Sequence, residues 1–139
     1  MSDFFTQFFC DQNKAYSVVI EDDGKVAYAY LMFYDRIIGD LWLYNNAIAP
    51  ENINWEQQDL PFLNPNYFLK AGINIAPIVN RRELLCQWTM DSNGKELLKV
   101  DIIIKKVLTG RLKPGEMPGY STLVKMDGPL AKVLTEGSY

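Results

Sequence analysis

The sequence predicts a mainly β fold, an antiparallel β-sandwich or strongly curved sheet of about six to eight strands, with short N-terminal, mid-chain and C-terminal helices. Three observations carry this. Apolar residues alternate with a period of two over several runs, the mark of strands with one covered face. Strong turn dipeptides, Asp23-Gly24 and Asn93-Gly94, interrupt those runs at hairpin spacing. The 139 residues, 48% of them hydrophobic and 13% aromatic, fill one core but not two of normal size, so residues 1–139 read as a single domain.

Phe4, Phe5, Phe8 and Phe9 recur at three- and four-residue spacing, which predicts a short amphipathic helix with an aromatic stripe. Residues 16–21 then alternate, Asp22-Asp23-Gly24-Lys25 turns, and 26–33 return, because Asp-Gly accepts the positive backbone angles of a tight primed turn. On the return strand Tyr28, Tyr30 and Met32 share one face, and Ala27, Ala29, Leu31 and Phe33 share the other. Tyr34-Asp35-Arg36 predicts a second turn into 37–45, where Gly39 marks a bulge or a close backbone approach. Residues 45–82 hold Pro50, Pro61, Pro65 and Pro77 with little periodicity. One short helix is predicted there over 64–72, with Asn64 as cap, Pro65 in the first turn and Gly72 as the stop.

A second hairpin runs over 84–90, turns at Asp91-Ser92-Asn93-Gly94 and returns over 95–105. Its return strand sets Leu98, Val100, Ile102 and Ile104 against Lys99, Asp101 and Lys105, with Ile103 as the exception to the alternation. Lys105-Lys106 leads into a further strand over 107–112. Pro114-Gly115 and Pro118-Gly119 both predict type II turns, and 120–124 a last strand. Leu130, Val133 and Leu134 share one helical face, which predicts a closing helix from Asp127 that Gly137 ends.

The chain has no histidine, which removes Ser-His and Cys-His nucleophile pairs, His-based zinc sites and a histidine pH switch. Cys10 and Cys86 are too few and too far apart for a disulfide framework or a cysteine metal site, and each reads as a small buried hydrophobe. The Glu21-Asp22-Asp23 cluster lacks the spacing of a calcium loop, and Gly94-Lys95 lacks the upstream glycine of a phosphate loop; both read as hairpin tips. No metal and no cofactor are predicted. Met1-Ser2-Asp3 lacks a basic start and no apolar run reaches the ~18 residues of a membrane helix, so the expected location is the cytoplasm.

The formal net charge of −3 hides an uneven distribution. Residues 1–68 carry ten acids and three bases, net −7, and residues 69–139 carry seven acids and eleven bases, net +4. The favoured reading is that strands of the two halves pair side by side and neutralise one another; the sharper one is an acidic face that docks a basic partner. An acidic first half argues against nucleic acid.

With no catalytic set in view, the function class is a non-catalytic cytoplasmic binding protein, regulatory or otherwise, that contacts another protein through the acidic N-terminal half and the 45–82 region. The candidate contact residues are Trp55, Arg81, Arg82, Tyr120, Asp40 and Tyr44. Trp55 stands in a loop-like context where tryptophan serves as an anchor, and the paired arginines offer planar donors to a carboxylate or phosphate. Against this, one arginine packed over an aromatic ring and the other in solvent explains the pair without a ligand. The rival is a small-molecule binder or a hydrolase using carboxylates such as Asp35, Asp40, Glu51, Glu56 and Asp59, with a pocket between the sheet and 45–82. Homodimerisation through an edge strand is the third option.

Three stretches together, Gly39-Asp40-Leu41-Trp42-Leu43-Tyr44-Asn45, Pro61-Phe62-Leu63-Asn64-Pro65, and Pro118-Gly119-Tyr120-Ser121 with Asp127-Gly128-Pro129-Leu130-Ala131-Lys132, resemble a group of small bacterial proteins with no assigned activity. The resemblance spans about residues 26–134. It implies a bacterial, cytoplasmic, single-domain protein, carries over no catalytic residue and, by analogy with small acidic bacterial domains of this kind, suggests an immunity-type partner.

Overall fold

The computed structural model describes residues 4–45, 68–70, 78 and 80–134, and these form two sheets. β1 (Phe4–Phe9), β2 (Tyr16–Asp22), β3 (Val26–Phe33) and β4 (Arg36–Asn45) make an antiparallel meander in chain order. After a single helical turn at Arg81–Glu83, the second sheet runs β5 (Leu84–Met90), β6 (Leu97–Ile104), β7 (Val107–Leu112), β8 (Tyr120–Ser121) and β9 (Lys132–Val133). All neighbours are antiparallel except β8 and β9.

The turns follow the local chemistry. Gly24 and Gly94 take positive φ at the two hairpin tips, and Asp23 Oδ1 accepts from the Lys25 and Val26 amides, closing the first tip. Tyr34, Lys105 and Lys106 also adopt positive φ, so two further hairpins turn without glycine. The Gly39 expectation holds: the β3–β4 register shifts beside it, and a Cβ there would stand 3.1 Å from Leu31 Cβ. Ile103 likewise sits at a register shift between β6 and β7.

The alternation becomes one shared core. Val18, Ile20, Ala29, Leu31 and Leu41 from the first sheet join Val100, Ile102, Ile104 and Leu112 from the second, all fully or almost fully buried. Burial on this scale, at roughly 25 cal/mol per Å² of apolar surface, is the main term holding the sheets together. One seam is sewn by backbone: the free edge of β4 exchanges bonds with the 115–130 segment through Gly115 N–H to Ile38 O (2.8 Å), Gly119 N–H to Asp40 O (2.7 Å) and Trp42 N–H to Leu130 O (3.1 Å). The other seam is closed by side chains. Arg81 lies over the Phe8 ring at 3.9 Å and donates to Thr6 Oγ1 and to Gln7 O (2.9 Å) on the edge strand β1.

Five expectations need correction. Leu98 leaves the predicted apolar face, because a register shift after Thr89 pairs Met90 with Leu97, which is buried, and leaves Leu98 54% exposed. Residues 4–9 form a strand, because Thr6 and Phe8 pair with Ile20 and Val18 on the core side while Phe5 and Phe9 point outward. The predicted C-terminal helix is replaced within the described residues by β9: the Lys132 and Leu134 amides bond Gly119 O and Ser121 O on β8, and Gly128 N–H closes a turn to Ala131 O. Gly119 has no positive φ; it is glycine because a Cβ would meet Arg111 O at 2.5 Å, so the second predicted type II turn is a close backbone approach. The strand predicted over 120–124 stops after Ser121, where the Thr122 amide turns to Thr109 O and the Leu123 amide to Ser121 Oγ. Of the predicted 64–72 helix, residues 64–67 and 71–72 lie outside the described residues, and Leu69 makes an isolated antiparallel bridge to Val124.

The strands of the two halves meet side by side along the β4 seam but otherwise divide between the sheets. The two halves do not interleave: residues 4–45, with six acids and three bases, build one sheet, and residues 80–134, with six acids and ten bases, build the other. No helix among the described residues is long and apolar enough to cross a membrane.

Candidate binding faces

Antiparallel register fixes what the outer face of the first sheet displays. Phe5, Glu21, Tyr28 and Trp42 form one cross-strand row, Gln7, Val19, Tyr30 and Asp40 the next, and Phe9, Ser17, Met32 and Ile37 the third, and of these Trp42 and Ser17 are buried. Phe5, Phe9 and Ile37 are 65%, 53% and 50% exposed, although each stands in a strand whose other face is core. Phe5 and Phe9 stand on β1 and Ile37 on β4, at opposite edges of the sheet, with Glu21 on β2 and Asp40 on β4 as the carboxylates of the same face.

Acids and aromatics meet at the centre of this face. The Tyr28 and Tyr30 rings stack at 6.2 Å with 21° between planes. Burial pushes both phenols above their ordinary range, followed for Tyr28 by Tyr30 and Asp40, and for Tyr30 by Glu21 and Asp40. Burial also raises the Asp40 carboxyl above the usual carboxylate range. Glu21 is exposed and Asp40 half-buried, and neither carboxylate pairs with a cation among the described residues.

The outer face of the second sheet is organised differently. Gln87, Asp101, Arg111 and Tyr120 form a row in which Arg111 Nε donates to Asp101 Oδ1 at 2.6 Å and Nη2 to Oδ2 at 3.2 Å, a two-pronged pair. Tyr120 donates to Glu116 Oε1, which raises its phenol, and carries Lys113 Nζ at 5.1 Å and Lys132 Nζ at 5.3 Å from its ring. Opposite charges here are placed against each other.

Of the residues singled out from sequence, Asp40 and Tyr120 meet at the β4 seam through Gly119 N–H to Asp40 O, and the others that are described do not join them. Asp40 belongs to the first-sheet face, and Tyr120 follows Gly119 along the seam on the β4 edge. Arg81 and Arg82 flank β5 at the far seam, and three strand spacings of about 4.8 Å separate β1 from β4. Arg81 is spent on Phe8, Thr6 and Gln7; Arg82 is exposed, its Nε reaching Asn80 Oδ1 at 3.4 Å. Tyr44 is buried, donating to Asp22 Oδ2 at 2.6 Å and accepting from Ile78 N–H at 3.0 Å, so it ties the first hairpin to the segment before β5. Trp55, Glu51, Glu56 and Asp59 lie outside the described residues. Burial pushes the Cys86 thiol up to about 12, and Cys10 is fully buried with its Sγ 3.7 Å from Met90 Sδ.

Phe5, Phe9 and Ile37 were not among the sequence candidates. A period-two reading of Phe4–Phe9 places Phe5 and Phe9 together on the polar-side face of that strand, and that was the available signal. Searched against family models, curated proteins and solved structures, the chain matches none.

Proposed function

We propose that this chain is a non-catalytic, cytoplasmic protein-binding domain, of the immunity or regulatory type, whose contact surface is the outer face of the first sheet. The observation that supports the reading is the exposure of Phe5, Phe9 and Ile37 beside Glu21 and Asp40. A partner that fits presents apolar side chains with lysine or arginine among them: the apolar part removes aromatic surface from water, and a guanidinium stacks on the Tyr28–Tyr30 pair while Asp40 accepts from it. Acids held without partners also steer a basic protein toward the face before contact.

The test is capture from a lysate of the native host with three baits: the unaltered chain, the face variant Phe5→Asp/Ile37→Asp, and Leu98→Asp as a control on an exposed residue of the second sheet. The expected result is a stoichiometric basic protein that the face variant loses and the control keeps. A partner retained by a folded face variant, or a retained metabolite with no protein, overturns the reading, the second in favour of a small-molecule binder.

A further inference from the structure

Residues 82–85, 103, 105 and 106 line an open groove of about 570 Å³ where β5 begins and β6 ends. Its floor comes from the strand pleat. Leu84 and Ile104 turn into the core, so their neighbours Leu85 and Ile103, paired across the strands, face outward, and Leu85 is 52% exposed. Leu108, paired with Ile103, extends the apolar strip on β7.

The rim is cationic. Arg82, Lys105 and Lys106 line the groove with one acid, Glu83, which holds Lys105 through an ion pair of 3.3 Å, leaving a net +2 at the site. Lys105 and Lys106 are placed by the hairpin itself, both at positive φ, with the Lys105 amide bonded to Glu83 O at 2.7 Å. The hairpin fixes where both lysine stems leave the backbone, and the Glu83 ion pair holds the Lys105 ammonium at the rim.

We propose that this groove is a second docking site, for an acidic and apolar segment of a partner protein. Complementarity selects that occupant: two net positive charges call for carboxylates, and the Leu85–Ile103–Leu108 strip calls for aliphatic side chains between them. The lining comes from two adjacent stretches side by side, which suits an extended segment laid across the strand ends better than an enclosed small molecule. Three cations, one already paired, fall below the four to eight that hold a segment to an anionic membrane. The site is independent of the first-sheet face and prefers the opposite charge.

The experiment is a titration of isotope-labelled full chain, followed by amide chemical shifts, with a short peptide of alternating glutamate and leucine. Its lysine–leucine counterpart and vesicles containing phosphatidylserine serve as the other arms. Shifts at Leu85, Ile103 and Lys106 with the acidic peptide alone are expected, weakened by salt and reduced about tenfold in Arg82→Glu/Lys106→Glu, both exposed positions where the fold tolerates exchange. No shifts at these residues, equal binding of the lysine peptide, or binding to vesicles in place of the peptide would each overturn the proposal.

Discussion

The two sheets bury their inner faces by the same alternation and treat their outer faces in opposite ways. In the second sheet an acid and a base meet as a cross-strand pair, Asp101 with Arg111, and the arginine is buried. In the first sheet Glu21 and Asp40 stand on the face of Phe5, Tyr28, Tyr30 and Ile37, and neither forms an ion pair among the described residues. A charge placed against its opposite serves the fold, and a charge left beside exposed aromatics does not. The difference is between a face whose central charges are paired and a face that, among the described residues, leaves Glu21 and Asp40 without a paired cation.

The sharpest way to break this comparison is to remove a charge from each sheet. Arg111→Met leaves Asp101, whose side chain is 14% exposed, without its partner in a poorly solvated site. The expected loss is about 3 kcal/mol in urea unfolding. Arg111→Met with Asp101→Leu should recover most of that loss, since replacing both charges by apolar groups removes the orphan. If the single variant costs no more than an ordinary surface exchange, the pair is ornamental and the contrast between the faces disappears.

The seam between the sheets gives the next effect. Gly119→Ala forces a methyl against Arg111 O at 2.5 Å, and Arg111 O belongs to β7 backbone, which cannot rotate away as a side chain can. A loss of about 2 kcal/mol is expected, read from the midpoint of denaturant unfolding. Gly115→Ala, at a positive φ with open space around it, strains only its own backbone and should cost less. Equal losses would mean that the β4 seam is looser than its hydrogen bonds indicate.

Hairpins were legible because their cause is local: Asp23-Gly24 and Asn93-Gly94 specify their own turns, and Val18, Ile20, Val100 and Ile102 announce their faces by alternation. The N-terminal segment was not, since Phe4-Phe5-Thr6-Gln7-Phe8-Phe9 satisfies a helical spacing as well as a strand, and only pairing with β2 decides between them. Lys132 and Leu134 show the same thing at the other end, where amides that fit a helix find β8 carbonyls instead. The candidate face was half legible. Acidic excess in the first half is a count, whereas its display on one side depends on which strands become neighbours, a matter of long-range topology that no local pattern encodes.

The smallest effect tests the first sheet directly. Burial raises the Asp40 carboxyl, so the folded chain binds that proton more tightly than the unfolded chain. Stability contributed by this group is therefore greatest when it is protonated and falls as pH rises from the ordinary carboxylate value, near 3.9, through the higher folded value. Above both values the charge is a standing cost. Asp40→Asn removes the cost, so the variant should be more stable than the unaltered chain at pH 7. The gain is only about a few tenths of a kcal/mol, because the part-buried carboxylate remains screened by solvent, and the difference should shrink toward zero as pH falls below the ordinary value. Unfolding measured across that range reads the effect from its slope. A variant less stable at pH 7 would show that Asp40 has a stabilising partner, and would move it from the proposed contact face to the fold.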